Sequence, residues 1–379
     1  MIYLIDPIDN FFFRTPIPFE AGGETAQING SFPPLPSVYA GAFRTLMEDC
    51  EGIRLKIGWN GLWLKDSLYF PKPLDLYISK KEGGEKSFFK SMELRKKVLS
   101  NYPLEYMPYI PQRQMEKEKN QTIPYLPEES LIQYLNGENS EIAGVDMGSY
   151  MREESKFGIA VDPQSGTSED QQLYQTTYIR PVAGLKLAVE TNFHLNDNLL
   201  NRNDGGTLIK LGGEGKTARI KPTDHSISAS VQSDGEKHFK LYLATPAILK
   251  KGWLPGWLDE KTMTGWFKYK KREIKVRLLS ACVGRKVLCG GFGYDKMNKE
   301  YRPRELRYAV PAGSVYYFEI LQGSFEDALK LFHMKCISDY RESMGFDYMV
   351  YNRSRYCDRG FGYAFVGKLN QCLGGNENV

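Results

Sequence analysis

Histidine is scarce in this sequence: His194, His225, His238 and His333 are the whole supply, and the first of them comes only at position 194. A metal-independent ribonuclease moves protons at the 2′-OH with a histidine, or with a lysine and a tyrosine together. The shortage leaves little to build one from. No H-E-x-x-H, G-x-S-x-G or EF-hand loop occurs, so metalloprotease, hydrolase-elbow and calcium readings have no support. Carboxylates are plentiful but never fall into a pattern such as G-x-D-x-D. The six cysteines (Cys50, Cys282, Cys289, Cys336, Cys357 and Cys372) contain no C-x-x-C, which predicts reduced thiols rather than a zinc site or a disulfide framework. No apolar run approaches the roughly 18 residues of a membrane span. Asp6, Pro7 and Asp9 interrupt the N-terminus where a signal peptide needs an unbroken apolar core. The expectation is a soluble cytoplasmic protein with no catalytic constellation, no cofactor, no metal and no membrane partner.

What is present is an ordinary globular composition, 41% hydrophobic and 25% charged over 379 residues, long enough for two domains. A net charge of +4 does not announce a nucleic-acid binder, although a basic groove can be offset by acidic surface elsewhere. The stretch "LIKLGGEGKTARIKP", Leu208 to Pro222, looks at first like a phosphate-binding loop. A Walker A loop places a glycine five residues before the Gly of its Gly-Lys pair, and here that position is Lys210. The sequel "TARIKP" alternates like a strand, whereas a P-loop opens a helix.

Three landmarks recur in one order. "FFFRTPIPF" (Phe11 to Phe19) and "KLYLATPAIL" (Lys240 to Leu249) are strand-like runs broken by Thr-Pro; "VAGLKLAVE" and "PAGSVYYFE" both read A-G-x5-E; "GEGKTARI" and "GFGYAFVG" are glycine loops entering a strand. A duplication follows, with modules over 1–223 and 236–379. Each has a first strand, a middle hairpin, a last strand behind a glycine loop and room for two helices, the βαββαβ plan of a ferredoxin-like, RRM-like α+β module. "PSVYAGAFRTLMEDC" predicts a helix capped by Ser37, with Tyr39, Ala42, Phe43 and Leu46 on one face and Arg44 opposite. "SFEDALKLFHMKCISDY" predicts another, capped by Ser324, with Phe325, Leu329, Phe332 and Cys336 buried. The matching helix of the first half would be the short, glycine-interrupted stretch around "NDNLLNRNDGG".

The first module carries an insertion over about 60–175. Its part "FFKSMELRKKVLSNYPLEYMPYIPQRQMEKEKNQ" reads as a helix followed by a charged surface excursion. "SKFGIAVDPQSGTSEDQQLYQTTYIRP" reads as a protruding hairpin, about 156–178, with its tip at Pro163 to Gln172.

The residues that remain for function are glycines flanked by cations and aromatics. One set is Lys210, Gly212, Gly213, Gly215, Lys216 and Arg219; the other is Arg353, Arg355, Arg359, Gly360, Phe361, Gly362 and Tyr363. Either loop could be a plain tight turn. Glycines also let a nucleic-acid backbone approach while N–H groups and cations meet phosphates, and bases could stack on Phe361 or Tyr363.

"FFFRTPIPFEAGGETAQINGSFPPLPSVYAGAFRTL", with F-x-R-x-x-x-P-F-x-x-G, S-x-F-P-P-x-P-S and A-G-A-x-R in succession, resembles the RAMP superfamily of CRISPR systems. Within it the likeness is to the third-subunit group of Cmr (type III-B) effector complexes. "FGIAVDPQSGTSEDQQLY" is similar to that group's thumb hairpin, and "LGGEGKTARI", "VPAGSVYYFE" and "RGFGYAFVG" to its glycine loops and second-half strand. The resemblance implies tandem ferredoxin-like RAMP modules and a non-catalytic subunit gripping the 5′ tag of crRNA. It would cap the complex beside the Cas10-type large subunit and the other Cmr backbone subunits, and meet target RNA only indirectly. It places Arg14, Ser37, Gly41, Arg44 and Lys156 near RNA, and makes both glycine loops cradles for the backbone. "CGGFGYDK" departs from the group's pattern, with Phe292 and Asp295 where a tryptophan and a nearer aspartate are usual. The alternative is a Cas6-like repeat-processing endoribonuclease, which shares the tandem plan and the terminal glycine loop.

Overall fold

A computed structural model of the chain describes residues 1–16, 26–28, 30–47, 54–82, 86–111, 124–138, 140–161, 164–165, 167–182, 184–195, 206–295, 300–303, 305–339 and 356–369. It opens with β1 (Ile2–Pro7), β2 (Ala26–Ile28), α1 (Pro36–Thr45) and β3 (Ile57–Leu64). An insertion follows: β4 (Ser67–Pro71), β5 (Leu76–Glu82), β6 (Lys86–Ser91), β7 (Glu93–Lys96), β8 (Tyr106–Tyr109), β9 (Pro124–Pro127), α2 (Glu128–Leu135), β10 (Ile142–Asp146), and the long pair β11 (Met151–Val161) and β12 (Ser168–Pro181). β13 (Lys186–Thr191), β14 (Thr207–Lys210) and β15 (Thr217–Thr223) close the first half. The second half contains β16 (His238–Leu243), β17 (Thr264–Tyr269), β18 (Arg272–Cys282), β19 (Val287–Cys289), β20 (Phe292–Asp295), β21 (Glu300–Pro303), β22 (Arg307–Ala309) and β23 (Val315–Gln322). It ends with α3 (Phe325–Phe332), β24 (Lys335–Cys336) and β25 (Tyr363–Gly367).

The architecture is mixed and mostly β. One ten-stranded sheet runs β14-β15-β1-β13-β3-β4-β9-β10-β6-β5, and a six-stranded sheet runs β17-β18-β23-β16-β25-β24. In the first, β15, β1, β13 and β3 pair antiparallel in that order. In the second, β25, β16, β23 and β18 do the same. Each half thus orders its last, first, third and second core strands alike, and the third strand of each follows a left-handed glycine, Gly184 (φ 81°) or Gly313 (φ 90°).

Strand alternation explains the layers. Tyr3 and Ile5 of β1 face α1, where Tyr39 and Phe43 are fully buried. Ile2 and Leu4 face the second sheet, whose Tyr242, Val315, Tyr317 and Phe365 share a core with Trp59, Leu68 and Phe70. On the far face of the second sheet, Phe239, Leu241 and Leu243 of β16 meet Phe325, Leu331 and Phe332 of α3. Both faces of β16 are covered, which is why its sequence is almost unbroken apolar. Its one charge, Lys240, is buried with Nζ 3.4 Å from the centre of the Tyr134 ring. Asp75, also buried, accepts hydrogen bonds from Tyr134 (2.8 Å) and Tyr317 (2.5 Å) across the same seam.

Several expectations are corrected. The stretch from Phe88 read as a helix is strand: β6 pairs with β5 and β10, and β7 with β8. Pairing on both sides satisfies the backbone of β6 within the sheet; residues 112–123 of the expected excursion lie outside the described ones. The first strand is β1, not the Phe11 run, which makes only isolated bridges at Phe11 and Arg14. There the backbone is engaged elsewhere: Phe11 exchanges bonds with Ile179, and the Phe12 carbonyl accepts from Gly213 N–H at 2.8 Å. Ser37 does not cap α1; Leu35 occupies the cap position without a side-chain bond and Pro36 takes the first turn, where its missing N–H costs nothing. Ser324 does cap α3, in a capping box with Asp327. That helix stops at His333, so Cys336 lies in β24 and Leu329 is only half-buried. The helix expected around "NDNLLNRNDGG" falls largely on residues 196–205, outside the described ones.

Candidate nucleic-acid interface

A groove of about 440 Å³ opens beside α1. Its walls come from Arg14, from Gly41 and Ala42 of α1, from Lys210, Gly212 and Gly213 of the β14–β15 loop, and from Gly291 of the second half. Ser37, Gly41 and Arg44 stand four and three residues apart, so they form one stripe along α1. Arg44 is exposed at its end. A methyl group on Gly41 would meet nothing within 4 Å; the missing side chain leaves groove space rather than permitting a packing contact.

The β14–β15 glycine loop is a hairpin turn, closed by Leu211 N–H to the Lys216 carbonyl (2.9 Å). A strand follows it, not a helix, so the loop lacks the geometry of a nucleotide-binding P-loop. Gly212 has φ 98° and a Cβ there would sit 2.4 Å from the Phe12 carbonyl oxygen. Glycine is therefore required at this point. Gly215 has φ 66° and open space.

On its other side the loop touches the base of the β11–β12 hairpin. These strands pair from Met151↔Pro181 to Val161↔Ser168. Successive residues Ser155, Lys156 and Phe157 of β11 are all exposed, whereas Thr176 and Tyr178 of β12 are buried at the hairpin's root. Lys156 and Lys216 converge on one ring, their Nζ atoms 4.6 Å and 4.8 Å from the centre of Tyr178. Tyr178 also lies tilted against Phe12 (ring centres 5.0 Å apart) and donates to Glu214. Lys216 pairs with Asp9 at 3.3 Å, and Arg180 bridges Asp9 (2.6 Å) and Glu154. Hydrogen bonding from the Arg180 guanidinium holds both carboxyls below their ordinary range. The sequence pattern does not disclose Tyr178 or this ion network, because nothing local marks a partner more than twenty residues away.

The second loop is differently placed. Phe361 and Tyr363 are each 2% exposed: Phe361 packs with Ile248, Cys289 and Ala309 against Leu35, and Tyr363 lies in the core between the sheets. Neither ring offers a face for a base, which corrects the stacking expectation. Arg359 is 6% exposed. Cβ atoms on Gly360 and Gly362 would come within 2.8 Å of Gly58 O and Ser338 N. Arg353 and Arg355 lie outside the described residues. Arg219 is also separated from the groove: Ala218 and Ile220 point toward α1, so Arg219 between them is exposed on the opposite face. No histidine lines the groove. Among the described residues there is no cluster of three or more metal-ligating side chains, and no helix long and apolar enough to cross a membrane. The four described cysteines are free thiols.

Comparison with known proteins fixes the family. The sequence profile described as "CRISPR-associated protein (Cas_Cmr3)" matches residues 3–369. The chain belongs to the Cas_Cmr3 family. That assignment spans both halves and makes it a Cmr-type RAMP protein. No curated protein matches the chain. Among solved structures, a chain of the type III-B Cmr-beta bound to cognate target RNA is similar, at 15% identity over 96% of each chain with a TM-score of 0.50. A chain of the type III-B Cmr-beta bound to cognate target RNA and AMPPnP is 14% identical over 95% of each, with a TM-score of 0.51. At such identities the likeness speaks to the fold, which this Cas_Cmr3 chain shares across its length.

Proposed function

We propose that this chain is a non-catalytic, crRNA-binding subunit of a type III-B Cmr effector complex, gripping the 5′ tag in the groove beside α1. The supporting observation is the groove itself: Arg14, Gly41, Lys210 with the Gly212-Gly213 pair, and Gly291 come from four distant segments to one open, cation-flanked surface. Exposed cations, with the walls thinned at Gly41 and Gly291 where an added Cβ would meet nothing within 4 Å, suit a phosphate backbone. The common strand order of the two sheets supports two ferredoxin-like modules, 1–223 and 236–379. The β11–β12 hairpin then acts as the thumb that kinks RNA where tag meets guide, with Lys156 and Lys216 at its root. The subunit caps the complex beside the Cas10-type large subunit and the first of the other Cmr backbone subunits, and meets target RNA only through them and the guide.

Co-expression with the neighbouring subunits, followed by sequencing of the RNA that co-purifies, tests this. RNAs sharing one short 5′ sequence are expected, and their loss from an Arg14→Glu/Arg44→Glu variant that still assembles. Random RNA, or no RNA, would sink the reading. Incubation of the purified chain with repeat RNA separates it from a Cas6-like nuclease, for which clean metal-independent cleavage is required.

A further inference from the structure

The turn between β17 and β18 carries a concentration of charge that the groove does not use. From Trp266 to Lys275 the sequence "WFKYKKREIK" holds Lys268, Lys270, Lys271, Arg272 and Lys275 against one carboxylate, Glu273. That is a net +4 in ten residues, the same as the net charge of the entire chain. The remainder of the protein is therefore balanced, and this hairpin is its basic pole.

The geometry makes the pole an aromatic surface as well. β17 is the edge strand of the second sheet, and Trp266 is 38% exposed there, with Nζ of Lys268 at 5.1 Å and of Lys275 at 5.8 Å from its ring centre. Lys268 pairs with Glu273 (2.6 Å) and Arg272 with Asp327 (3.5 Å). Lys270 and Lys271, at the exposed tip, have no carboxylate partner among the described residues. Tyr269, on the face of the hairpin opposite Trp266, lines a second cavity of about 610 Å³ at the seam between the two halves, whose lining sets Arg54, Lys56 and Lys335 against the carboxylates of Glu190 and Asp358. This cavity shares no lining residue with the groove beside α1.

We infer that the β17–β18 hairpin and the adjoining seam cavity form a second binding surface for single-stranded RNA, separate from the groove proposed for the tag. Lys268 and Lys275 beside the exposed Trp266 ring, with Lys270 and Lys271 at the tip beyond it, fit a strand whose phosphates and base faces alternate. A single strand of RNA supplies both kinds of partner at once, phosphates for the lysines and base faces for the exposed tryptophan. The site takes RNA without sequence preference, because Arg272 and Asn192, which could read a base edge, are engaged with Asp327 and with the backbone of Arg54 and Lys56.

The test is fluorescence anisotropy of the full-length chain with a labelled twelve-nucleotide oligouridine over a range of salt. Wild type is expected to bind. Lys270→Glu/Lys271→Glu should weaken binding about tenfold or more, and lower the slope of log affinity against log salt by about 1.4, at roughly 0.7 for each phosphate that no longer meets a cation. Trp266→Ala should weaken it about fivefold with the slope unchanged, as loss of a stacked base does. Failure of wild type to bind, or equal binding by all three proteins, overturns the inference. So does a charge-reversed chain that keeps oligouridine affinity but no longer co-purifies with a neighbouring subunit, since the pole would then be a protein interface. Recovery of tagged RNA depends on Arg14 and Arg44 instead, so failure of that reading is a different result.

Discussion

The two glycine loops occupy equivalent places in the two halves and have opposite surroundings. The first, Leu211 to Lys216, leads into β15 with Gly212 and Gly213 on an open groove and Lys216 at the root of the hairpin. The second, Arg359 to Gly362, leads into β25 beneath β3 and the start of α1. A shared backbone requirement explains why both are glycine-rich: Gly212, Gly215, Gly360 and Gly362 all have φ between 66° and 98°, which side chains disfavour. Recurrence of the motif therefore reports common chain geometry, while use depends on what the other half lays over it.

The contrast breaks most readily at Phe361. If the ring is core, Phe361→Ala costs about 3–5 kcal/mol of stability, measured by urea unfolding, while RNA held by the molecules that remain folded is unchanged. A stacking ring would give the reverse, a binding loss with stability nearly intact. Gly360→Ala is next, at about 2–4 kcal/mol, combining left-handed strain with overpacking against Gly58 and Asn60. Gly215→Ala in the first loop, with open space around the added methyl, should cost only the strain, about 1–2 kcal/mol. Equal costs at the two positions would erase the distinction.

How much of the molecule is readable from its sequence depends on range. The Gly184 and Gly313 strand entries and the strand after "GGEGKT" are local patterns and appear where spacing placed them, whereas the Phe11 run, matched by its Thr-Pro to β16, forms no strand among its described residues. The groove is legible only as separate residues: Arg14, Gly41 and Gly212 are near one another because β15 and β1 pair and α1 crosses them, which no local signal encodes. Phe361 and Tyr363 mislead because an aromatic beside a glycine and an arginine looks the same whether it faces solvent or a neighbouring sheet. β6 passes for helix because its charges sit on a strand whose neighbours, β5 and β10, come from either side of it in sequence. The basic hairpin is the opposite case: five cations in ten residues are plain in the sequence, but their meaning depends on the exposed edge that carries them.

Lys216 sharpens the comparison from the side of the first loop. Its pairing with Asp9 is partly exposed, so Lys216→Ala should alter stability by less than about 1 kcal/mol. RNA affinity should fall about fivefold, and the salt slope by about 0.7. A large stability loss with unchanged RNA binding would make the first loop as structural as the second.

The smallest expected effect concerns what the second loop delivers, the strand β25. Val366 N–H donates to His333 Nδ1 at 3.2 Å, and His333 Nε2 lies 2.6 Å from the Ala229 carbonyl oxygen, an arrangement that requires the neutral ring protonated at Nε2. Burial accordingly pushes the His333 pKa below its ordinary 6.5. Protonation is then easier in the unfolded chain, which binds the extra proton first as pH falls, so stability is full above pH 6.5 and declines below it. His238 is also shifted down by burial and contributes in the same direction, so the measurement is a difference: urea midpoints at pH 7.5 and 5.5 for wild type and His333→Gln. The variant should be less stable at pH 7.5 and lose less on acidification. An identical pH dependence in the two proteins would mean that β25 is held in place by the packing of Phe365 and Val366 alone.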